Sequence, residues 1–294
     1  MKKNTNLIVA SAFAAFLSGC VHSDSAHAPH VESHHASVAD SVIEKQRATL
    51  ASTTKGQGFG PQAPRDLNSK QGNNPIQFNA APKYTEMNLC NIHFHKNAEH
   101  RGGEFTLYAG NGDGHGYQSG YKFTGTLSEA ESKPLDHEVC PSKHGGLSVG
   151  DTIEVHYVHS SAQITPGATL GSCLSKANNN PQLRVETQVY VLVNDANALN
   201  FNELTQHGIV NGYHQATNIP NNTGQAITYA GSTTGPGYNE KGSPFQVTWN
   251  VRPKVAKVNI ATVGKWCQGN TFKEDHAHGV RNIVKNPALL SPIN

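Results

Sequence analysis

The sequence has few charged residues, and its lysines and arginines form no cluster. Asp, Glu, Lys and Arg together make up 15% of the chain, and the formal net charge is +2 with histidine neutral. A nucleic-acid-binding domain usually carries a basic stripe or patch. The composition therefore shows no electrostatic footprint for nucleic acid, and nothing in the sequence indicates a protein partner.

Long hydrophobic runs are missing after residue 20. Before it, two lysines precede the apolar run Leu7 to Phe16, and Leu17-Ser18-Gly19-Cys20 follows. This order is typical of a signal peptide, and the run is too short for a permanent transmembrane helix. Its last four residues resemble a bacterial lipobox. We therefore predict a lipoprotein signal peptide over residues 1–20 and an exported protein, lipid-anchored through Cys20 on the outer-membrane or periplasmic side of the envelope. An ordinary secretory signal is the alternative.

Large apolar side chains are scarce in residues 21–59, where Ser, Ala, His and Gly predominate. Such a segment cannot bury enough surface to fold alone. We predict a flexible tether, with room for a short helix over residues 41–50, leading to one domain over residues 60–294. Histidine-rich tracts can bind metal loosely, although a solvated linker is the simpler interpretation here. The histidines of the tether are His22, His27, His30, His34 and His35.

No two cysteines form a C-x-x-C pair, and the wide spacing argues against a cysteine-based zinc site. After Cys20, the even number of cysteines in an exported chain predicts two disulfides, and three connectivities are open. One of these cysteines directly precedes the histidine motif described below, so its bridge is placed to brace that motif. The disulfide candidates are Cys90, Cys140, Cys173 and Cys267.

Internal repeats and strong helical patterns are also absent, whereas short apolar runs, glycine and proline are frequent. We predict a mainly β protein: a single domain around a large, mostly antiparallel β-sheet with few short helices. Helices are expected at residues 200–206 and 278–284. The expected strands cover residues 89–95, 104–107, 121–126, 152–159, 183–193, 226–229, 245–251 and 254–262.

Histidine is abundant, with 17 residues. In a strand, alternate side chains point to one face, so Asn91, His93 and His95 lie on the same side of the sheet. A second strand places Glu154 and His156 on one face in the same way. Side by side, the two strands bring three imidazoles together. Three histidine ligands with an open fourth position are typical of catalytic zinc, whereas structural zinc sites are usually closed by four ligands.

A ligating histidine normally donates its other ring N–H to a carboxylate, an amide or a carbonyl group. Asn91 precedes His93 by two residues, and Glu154 precedes His156 by two, so we predict these pairings. The expected cofactor is Zn²⁺, and the same ligands also suit Co²⁺ and other divalent metals. Histidines that are merely buried in the core are the structural alternative.

Three motifs occur in a fixed order: Asn91-Ile-His-Phe-His-Lys-Asn-Ala-Glu-His100, then Glu154-Val-His-Tyr-Val-His159, then Tyr229-Ala-Gly-Ser-Thr-Thr-Gly-Pro236 followed by Val247-Thr-Trp249. Together they resemble the zinc site of the alpha- and delta-class carbonic anhydrases. The short first motif, with Glu99 four residues after His95, is more similar to the delta class. The resemblance implies a sheet of the alpha-carbonic-anhydrase type and the reversible hydration of carbon dioxide to bicarbonate, with His93, His95 and His156 as zinc ligands.

In that family a threonine hydroxyl donates to a glutamate and orients the attacking hydroxide. The resemblance assigns these roles to Thr233 and Glu99. Thr234 is the alternative, because this chain has one residue fewer before the threonine pair than the alpha class has. Val158 and Trp249 would wall the apolar pocket that holds the gas.

The alpha class carries its proton shuttle in a region that has no histidine here, between residues 56 and 91. His100 and His115 are the candidates for that role, and the choice between them is open. The main alternative function is that of a surface lipoprotein that binds or scavenges zinc without catalysis. Such a protein has no use for an oriented threonine or for a gas pocket. Zinc hydrolases of other kinds are also compatible with the ligands, but no second metal site or substrate-binding signature supports them.

Overall fold

The computed structural model describes residues 37–293, and five of its ten strands carry residues of the three motifs or pair with strands that do. In these residues the helices are α1 (Asp40–Thr54), α2 (Phe201–Leu204) and α3 (Ile260–Cys267). The strands are β1 (Asn88–Lys96), β2 (Leu107–Tyr108), β3 (Tyr121–Lys122), β4 (Thr152–Ser160), β5 (Leu183–Val193), β6 (His207–Val210), β7 (Tyr213–Ala216), β8 (Ile227–Ser232), β9 (Gln246–Val251) and β10 (Ala256–Asn259).

The central sheet has the strand order β1-β4-β5-β9-β8, and β10 also pairs with β5. The β5–β9 and β5–β10 pairs are parallel, whereas the others in this sheet are antiparallel. Pairs β2–β3 and β6–β7 form two small separate sheets. The prediction of a mainly β domain around one large sheet is therefore confirmed, and the sheet is mixed because β5 accepts two parallel partners.

Both faces of the central sheet are covered, and the strands at its centre are buried accordingly. Every residue of β4 is buried. On one face, Phe94 packs against Phe201 of α2 and Trp266 of α3, with ring centroids 5.9 and 5.8 Å apart. On the other face, Val158 and Trp249 belong to a second apolar cluster. The alternation of β1 places its histidines on the side of this second cluster, so they are shielded from bulk water.

Helix α1 lies in the segment predicted as a tether, and it is docked on the domain. Its buried Leu50 packs with Val284, Leu289 and Leu290. Its Gln46 amide donates to the carbonyl of Gly114 at 2.8 Å. The part of the predicted tether before residue 37, the signal peptide and Cys20 all lie outside the described residues. The folded part thus includes residues before the boundary predicted at residue 60, because α1 covers apolar residues near the C-terminus.

The predicted helix at residues 278–284 is wrong. The N–H of His278 donates to the carbonyl of Phe94 at 2.9 Å, and its own carbonyl accepts from Lys96 at 3.1 Å. The main-chain N–H groups of Val280 and Val284 also donate to carbonyls outside the segment, so they cannot form helical hydrogen bonds. The predicted strand at residues 254–262 is instead split between β10 and the start of α3.

Two disulfides are present within residues 37–293, as predicted from the cysteine count, and they join Cys90 to Cys173 and Cys140 to Cys267. The first bridge links β1 to a 3₁₀ turn at Leu170–Cys173. Among residues 37–293, no helix combines the length and the hydropathy needed to cross a bilayer.

Candidate metal centre

The antiparallel register of β1 and β4 determines where the histidines meet. His93 lies directly opposite His156, and His95 lies opposite Glu154. One ligand nitrogen from each of His93, His95 and His156 lies within 4.8 Å of the other two. The structure therefore brings together the three residues that the sequence proposes as ligands.

In each imidazole, one ring nitrogen faces the other two histidines (the inner nitrogen) and one faces away from them (the outer nitrogen). Each outer nitrogen is hydrogen-bonded to an oxygen. Nδ1 of His93 donates to the side-chain carbonyl of Asn91 at 2.6 Å, and Nδ1 of His95 donates to the carbonyl of Gly279 at 2.9 Å. Nε2 of His156 donates to Oε1 of Glu154 at 2.7 Å. Since the acceptors carry no proton, each ring uses its N–H outward and leaves a lone pair on its inner nitrogen. Asn91 and Glu154 thus occupy the supporting positions that the sequence proposes.

The inner nitrogens face one another with no proton between them. Nε2 of His93 lies 3.2 Å from Nδ1 of His156, and Nε2 of buried His95 has no hydrogen-bond partner. Tetrahedral zinc with Zn–N bonds of about 2.0–2.1 Å separates its nitrogen ligands by about 3.3 Å. The donor set therefore fits a zinc-sized cation. Within the part of the chain that the structure describes, no fourth histidine, cysteine or carboxylate joins this group, so one coordination position is open.

Burial keeps the three imidazoles neutral, which is the form that binds a metal. Burial lowers the pKa of His93 well below its ordinary value, and the neighbouring histidines lower it further. It lowers the pKa of His95 to about 3, with repulsion from His278 as the next cause. Burial also lowers the pKa of His156, although the hydrogen bond to Glu154 opposes this effect. The site is thus prepared for a cation without first losing protons near neutral pH.

A buried hydrogen-bonded chain lies behind His156. Oε1 of Glu154 also accepts from Nδ1 of His100 at 2.7 Å, and the main-chain N–H of His100 donates to Oε2 at 3.1 Å. The second ring nitrogen of His100 bonds to the Tyr229 hydroxyl at 2.7 Å. Burial alone would raise the pKa of Glu154, but His100 and His156 outweigh it and lower the pKa below the ordinary value. Glu154 is therefore a carboxylate that holds His156 in one tautomer.

This arrangement corrects the proposed shuttle role of His100. Its side chain is fully buried, and both ring nitrogens have partners, so it has no route to carry a proton to solvent. His115 is exposed, and the structure does not bring it into the histidine group. Sequence reasoning missed Tyr229, although it opens the third motif, because no spacing rule connects it to His100.

Of the two threonines, the structure favours Thr234 for the role that the sequence assigns to Thr233. The Thr233 hydroxyl is buried and bonded to the Ser243 hydroxyl. The Thr234 hydroxyl is the group that acts on Glu99, where it lowers the pKa of the carboxyl as a hydrogen-bonding side chain. The contact is loose, since Oε2 of Glu99 has no partner of ordinary hydrogen-bond geometry. Catalytic hydrogen bonds often tighten only when the reacting groups are bound.

Glu99 is buried beside the histidines. Its Oε1 accepts from the main-chain N–H of Arg281 at 2.7 Å and lies 3.7 Å from Nδ1 of His95. Burial raises the pKa of Glu99, and this shift is opposed first by His156. Glu99 thus lies between Thr234 and the candidate ligand His95.

A small apolar pocket opens beside the histidines. Val158 and Trp249 line it, as the sequence proposes, and Trp249 is anchored by its indole N–H, which donates to the Ser232 carbonyl at 3.0 Å. Because the pocket is lined by Thr234 and by two of the three candidate ligands, a small apolar molecule in it would lie beside the open coordination position. The other lining residues are His93, His156, Leu170, Leu183, Val185, Thr233 and Val247.

His278 lies at the edge of the histidine group, and sequence reasoning did not find it. Its ring centroid is 5.4 Å from that of His93 and 5.8 Å from that of His95. Its Nε2 contacts Oε2 of Glu274 at 2.6 Å, and 43% of its side chain is exposed. A helix at residues 278–284, as predicted, would not have placed His278 beside β1, so the sequence offered no reason to include it.

Comparisons with known proteins agree with the motifs. A family model of delta carbonic anhydrases matches residues 84–262. No curated protein matches the chain. Solved structures similar to it include a hyperthermostable carbonic anhydrase from an active hydrothermal vent chimney, with 13% identity, 79% of this chain and 87% of that chain covered, and a TM-score of 0.25. Another is the alpha-carbonic anhydrase from Thermovibrio ammonificans in complex with the inhibitor sulfanilamide, with 13% identity, 80% and 87% covered, and a TM-score of 0.26.

A third is the alpha-carbonic anhydrase from Photobacterium profundum, with 14% identity, 81% and 92% covered, and a TM-score of 0.24. At these scores the structural likeness carries no weight, and the assignment rests on the family match. Since that match spans more than half of the chain, the protein belongs to the delta carbonic anhydrase family.

Proposed function

We propose that this protein hydrates carbon dioxide reversibly to bicarbonate with a zinc ion held by His93, His95 and His156. The observation that carries the proposal is the convergence of three unprotonated imidazole nitrogens on one point with a fourth side open. The 3.2 Å separation between His93 and His156 matches two ligands of one tetrahedral ion. Co²⁺ would fit the same donors.

Zinc bound in this way would lower the pKa of a coordinated water enough to supply hydroxide near neutral pH, the property for which carbonic anhydrases are the standard example. The chain's own residues supply the rest. Asn91, Glu154 and the Gly279 carbonyl hold the three rings in the required tautomers. Thr234, whose hydroxyl acts on Glu99, would accept a hydrogen bond from the nucleophile and so orient it at the substrate.

The apolar pocket accounts for substrate choice. Val158 and Trp249 offer carbon dioxide a surface without hydrogen-bond partners, whereas the bicarbonate product is charged and better solvated by water. A neutral gas is therefore favoured beside the nucleophile, and the product is favoured to leave.

The test is stopped-flow hydration of carbon dioxide by the purified protein, with zinc content measured on the same samples. We expect activity that falls on treatment with a chelator and returns with added zinc. His156→Ala should lose both metal and activity, because two imidazoles make a poor zinc site. A protein that holds one zinc per chain but does not accelerate hydration would support metal capture without catalysis.

We also propose that the mature protein is attached to the cell envelope by a lipid on Cys20. The support is the Leu17-Ser18-Gly19-Cys20 sequence, and Val21 in place of an aspartate favours the outer membrane. A Cys20→Ser variant should be released as soluble protein or remain uncleaved. Unchanged processing and fractionation with membrane would contradict the anchor.

A further inference from the structure

The segment from Gly279 to Asn282 lies beyond the residues that match the family model, yet it contacts three parts of the site. The Gly279 carbonyl accepts from the ligand His95. The N–H of Arg281 donates to Glu99 at 2.7 Å. The N–H of Asn282 donates to the side-chain oxygen of Asn239 at 2.8 Å. One short segment thus touches the ligand shell, Glu99 and the end of the loop that carries Thr234.

The Arg281 side chain extends this connection. It is fully buried, and its Nε donates to the Tyr238 carbonyl at 2.9 Å. One terminal nitrogen donates to the carbonyl of Ala63, and both terminal nitrogens lie near Oε1 of Gln62, at 3.5 and 3.3 Å. Tyr238 belongs to the 3₁₀ turn Pro236–Asn239, which begins two residues after Thr234.

The two ends of the Thr234–Glu99 pair therefore share one support. Main-chain hydrogen bonding from Arg281 holds Glu99, and its guanidinium holds the turn that follows Thr234. The side chain of Asn239, in the same turn, accepts from the N–H of Asn282, the residue after Arg281. A planar guanidinium with several donors in fixed directions can hold separate carbonyls at once, which a lysine ammonium on a flexible stem does less well.

We propose that Arg281 is a positioning residue for the reaction, supported by Asn239, and that together they set the distance between the Thr234 hydroxyl and the Glu99 carboxylate. The inference rests on the proposed hydration function and adds Arg281, which lies outside the matched region. A displacement on the order of 1 Å at a catalytic group can cost about a hundredfold in rate, so a support shared by both ends of the Thr234–Glu99 pair should affect turnover.

The first test is Arg281→Lys with Arg65→Lys as its matched control. Arg65 is the other fully buried arginine among the described residues, and it also donates to backbone carbonyls, those of Ser69, Gln71 and Ser291. None of these three residues belongs to the site. The Arg65 guanidinium also lies over the ring of Tyr229, 5.5 Å from its centroid, and a lysine keeps a cation at that position. We expect both variants to lose thermal stability and to keep one zinc per chain. Well below either melting temperature, Arg281→Lys should lose tenfold or more in kcat per zinc-loaded molecule, whereas Arg65→Lys should stay within about twofold of the parent.

The second test uses Asn239→Leu and Asn239→Asp. The leucine removes the acceptor for the Asn282 N–H, and the aspartate restores one. Asn88→Leu is the control, because buried Asn88 likewise accepts a distant main-chain N–H, that of His214, at 3.1 Å. We expect kcat to fall in Asn239→Leu, to recover at least partly in Asn239→Asp and to persist in Asn88→Leu, with zinc content unchanged throughout.

The outcomes separate the two proposals. A zinc-loaded parent without hydration activity would refute the proposed function itself. An active parent, together with Arg281→Lys and Asn239→Leu variants that keep its kcat per bound zinc, would overturn the positioning role. The same holds if each variant loses no more activity than its control. If Arg281→Lys does not fold, the kcat values of Asn239→Leu and Asn239→Asp decide whether the positioning role holds.

Discussion

Nδ1 of His100 and Nε2 of His156 donate to the same oxygen, Oε1 of Glu154, at 2.7 Å each. The side chains of His100 and Glu154 are completely buried. The ligand His156 is therefore oriented by a carboxylate that is itself held by a second histidine. The Tyr229 hydroxyl ends this hydrogen-bonded chain, because it bonds to the second ring nitrogen of His100.

This relationship predicts that His100 supports metal binding without touching the metal. In His100→Leu, Glu154 loses the hydrogen bond from the imidazole and a favourable electrostatic partner, and it keeps only the main-chain N–H of residue 100, so it holds His156 less firmly. Loss of such an outer partner typically lowers metal affinity by about 10–100-fold. Competition with a chromophoric chelator would measure the zinc Kd.

His115→Leu is the control for that experiment, because His115 is exposed and outside the histidine group. Its zinc Kd should equal that of the parent. Equal affinities for parent and His100→Leu would show that Glu154 orients His156 unaided.

A second prediction separates the two threonines. Thr234→Ala should lower kcat on the order of a hundredfold, since it removes a group oriented at the nucleophile. Thr233→Ala removes a buried hydroxyl bonded to Ser243, so it should cost about 1 kcal/mol of unfolding free energy and leave kcat nearly unchanged. Hydration rates and urea unfolding of both variants, at matched zinc content, would check this. The opposite pattern would restore the assignment to Thr233.

The histidine triad was predictable because it follows from a local rule. Side chains two apart in a strand share a face, so Asn91, His93 and His95 had to point together once β1 was recognised. The outward pairing of His156 with Glu154 follows from the same period. The overall sheet was predictable for a similar reason, since short apolar runs of strand length recur along the chain.

What the sequence could not show depends on distant segments meeting. The choice of Thr234 over Thr233 rests on Ser243 and on a loop whose path no periodicity describes. His278 and Arg281 stand in a segment predicted to be helical, and hydrogen bonds to distant parts of the chain prevent that helix: His278 bonds to β1, and the N–H of Arg281 donates to Glu99. The β6–β7 hairpin is a different case, because its Asn211-Gly212 turn is a local signal for a two-residue hairpin.

A third prediction concerns α1. A chain that begins at residue 37 should keep the stability and hydration rate of the mature protein, whereas one that begins at residue 60 should unfold at lower urea concentration. The reason is that α1 buries Ile43 and Leu50 and covers apolar residues near the C-terminus. Burial of such side chains contributes about 1.5–3 kcal/mol each. Equal urea midpoints for the two truncations would show that α1 adds no stability.

A fourth prediction follows from His159, which is buried on β4 away from the triad. Its Nδ1 bonds to the Tyr157 carbonyl at 3.0 Å, and its Nε2 has no partner. Burial lowers its pKa from 6.5 to about 3, and the Tyr157 hydrogen bond opposes this only in part. Between pH 3 and 6.5 the folded protein thus binds fewer protons at this site than the unfolded chain does. The free energy of unfolding must therefore fall as the pH falls through that window.

From pH 7 to pH 5, a single group shifted in this way lowers the free energy of unfolding by roughly 2 kcal/mol. In His159→Phe the ring volume is retained and the titration is removed, so the decline over that interval should be smaller by about this amount. The measurement is urea unfolding of zinc-free parent and variant at pH 7, 6 and 5. The triad histidines titrate in both proteins, so the difference between the two slopes isolates His159. Parallel pH profiles would mean that His159 accepts a proton in the folded state as readily as in the unfolded chain. Burial would then not lower its pKa in the folded protein.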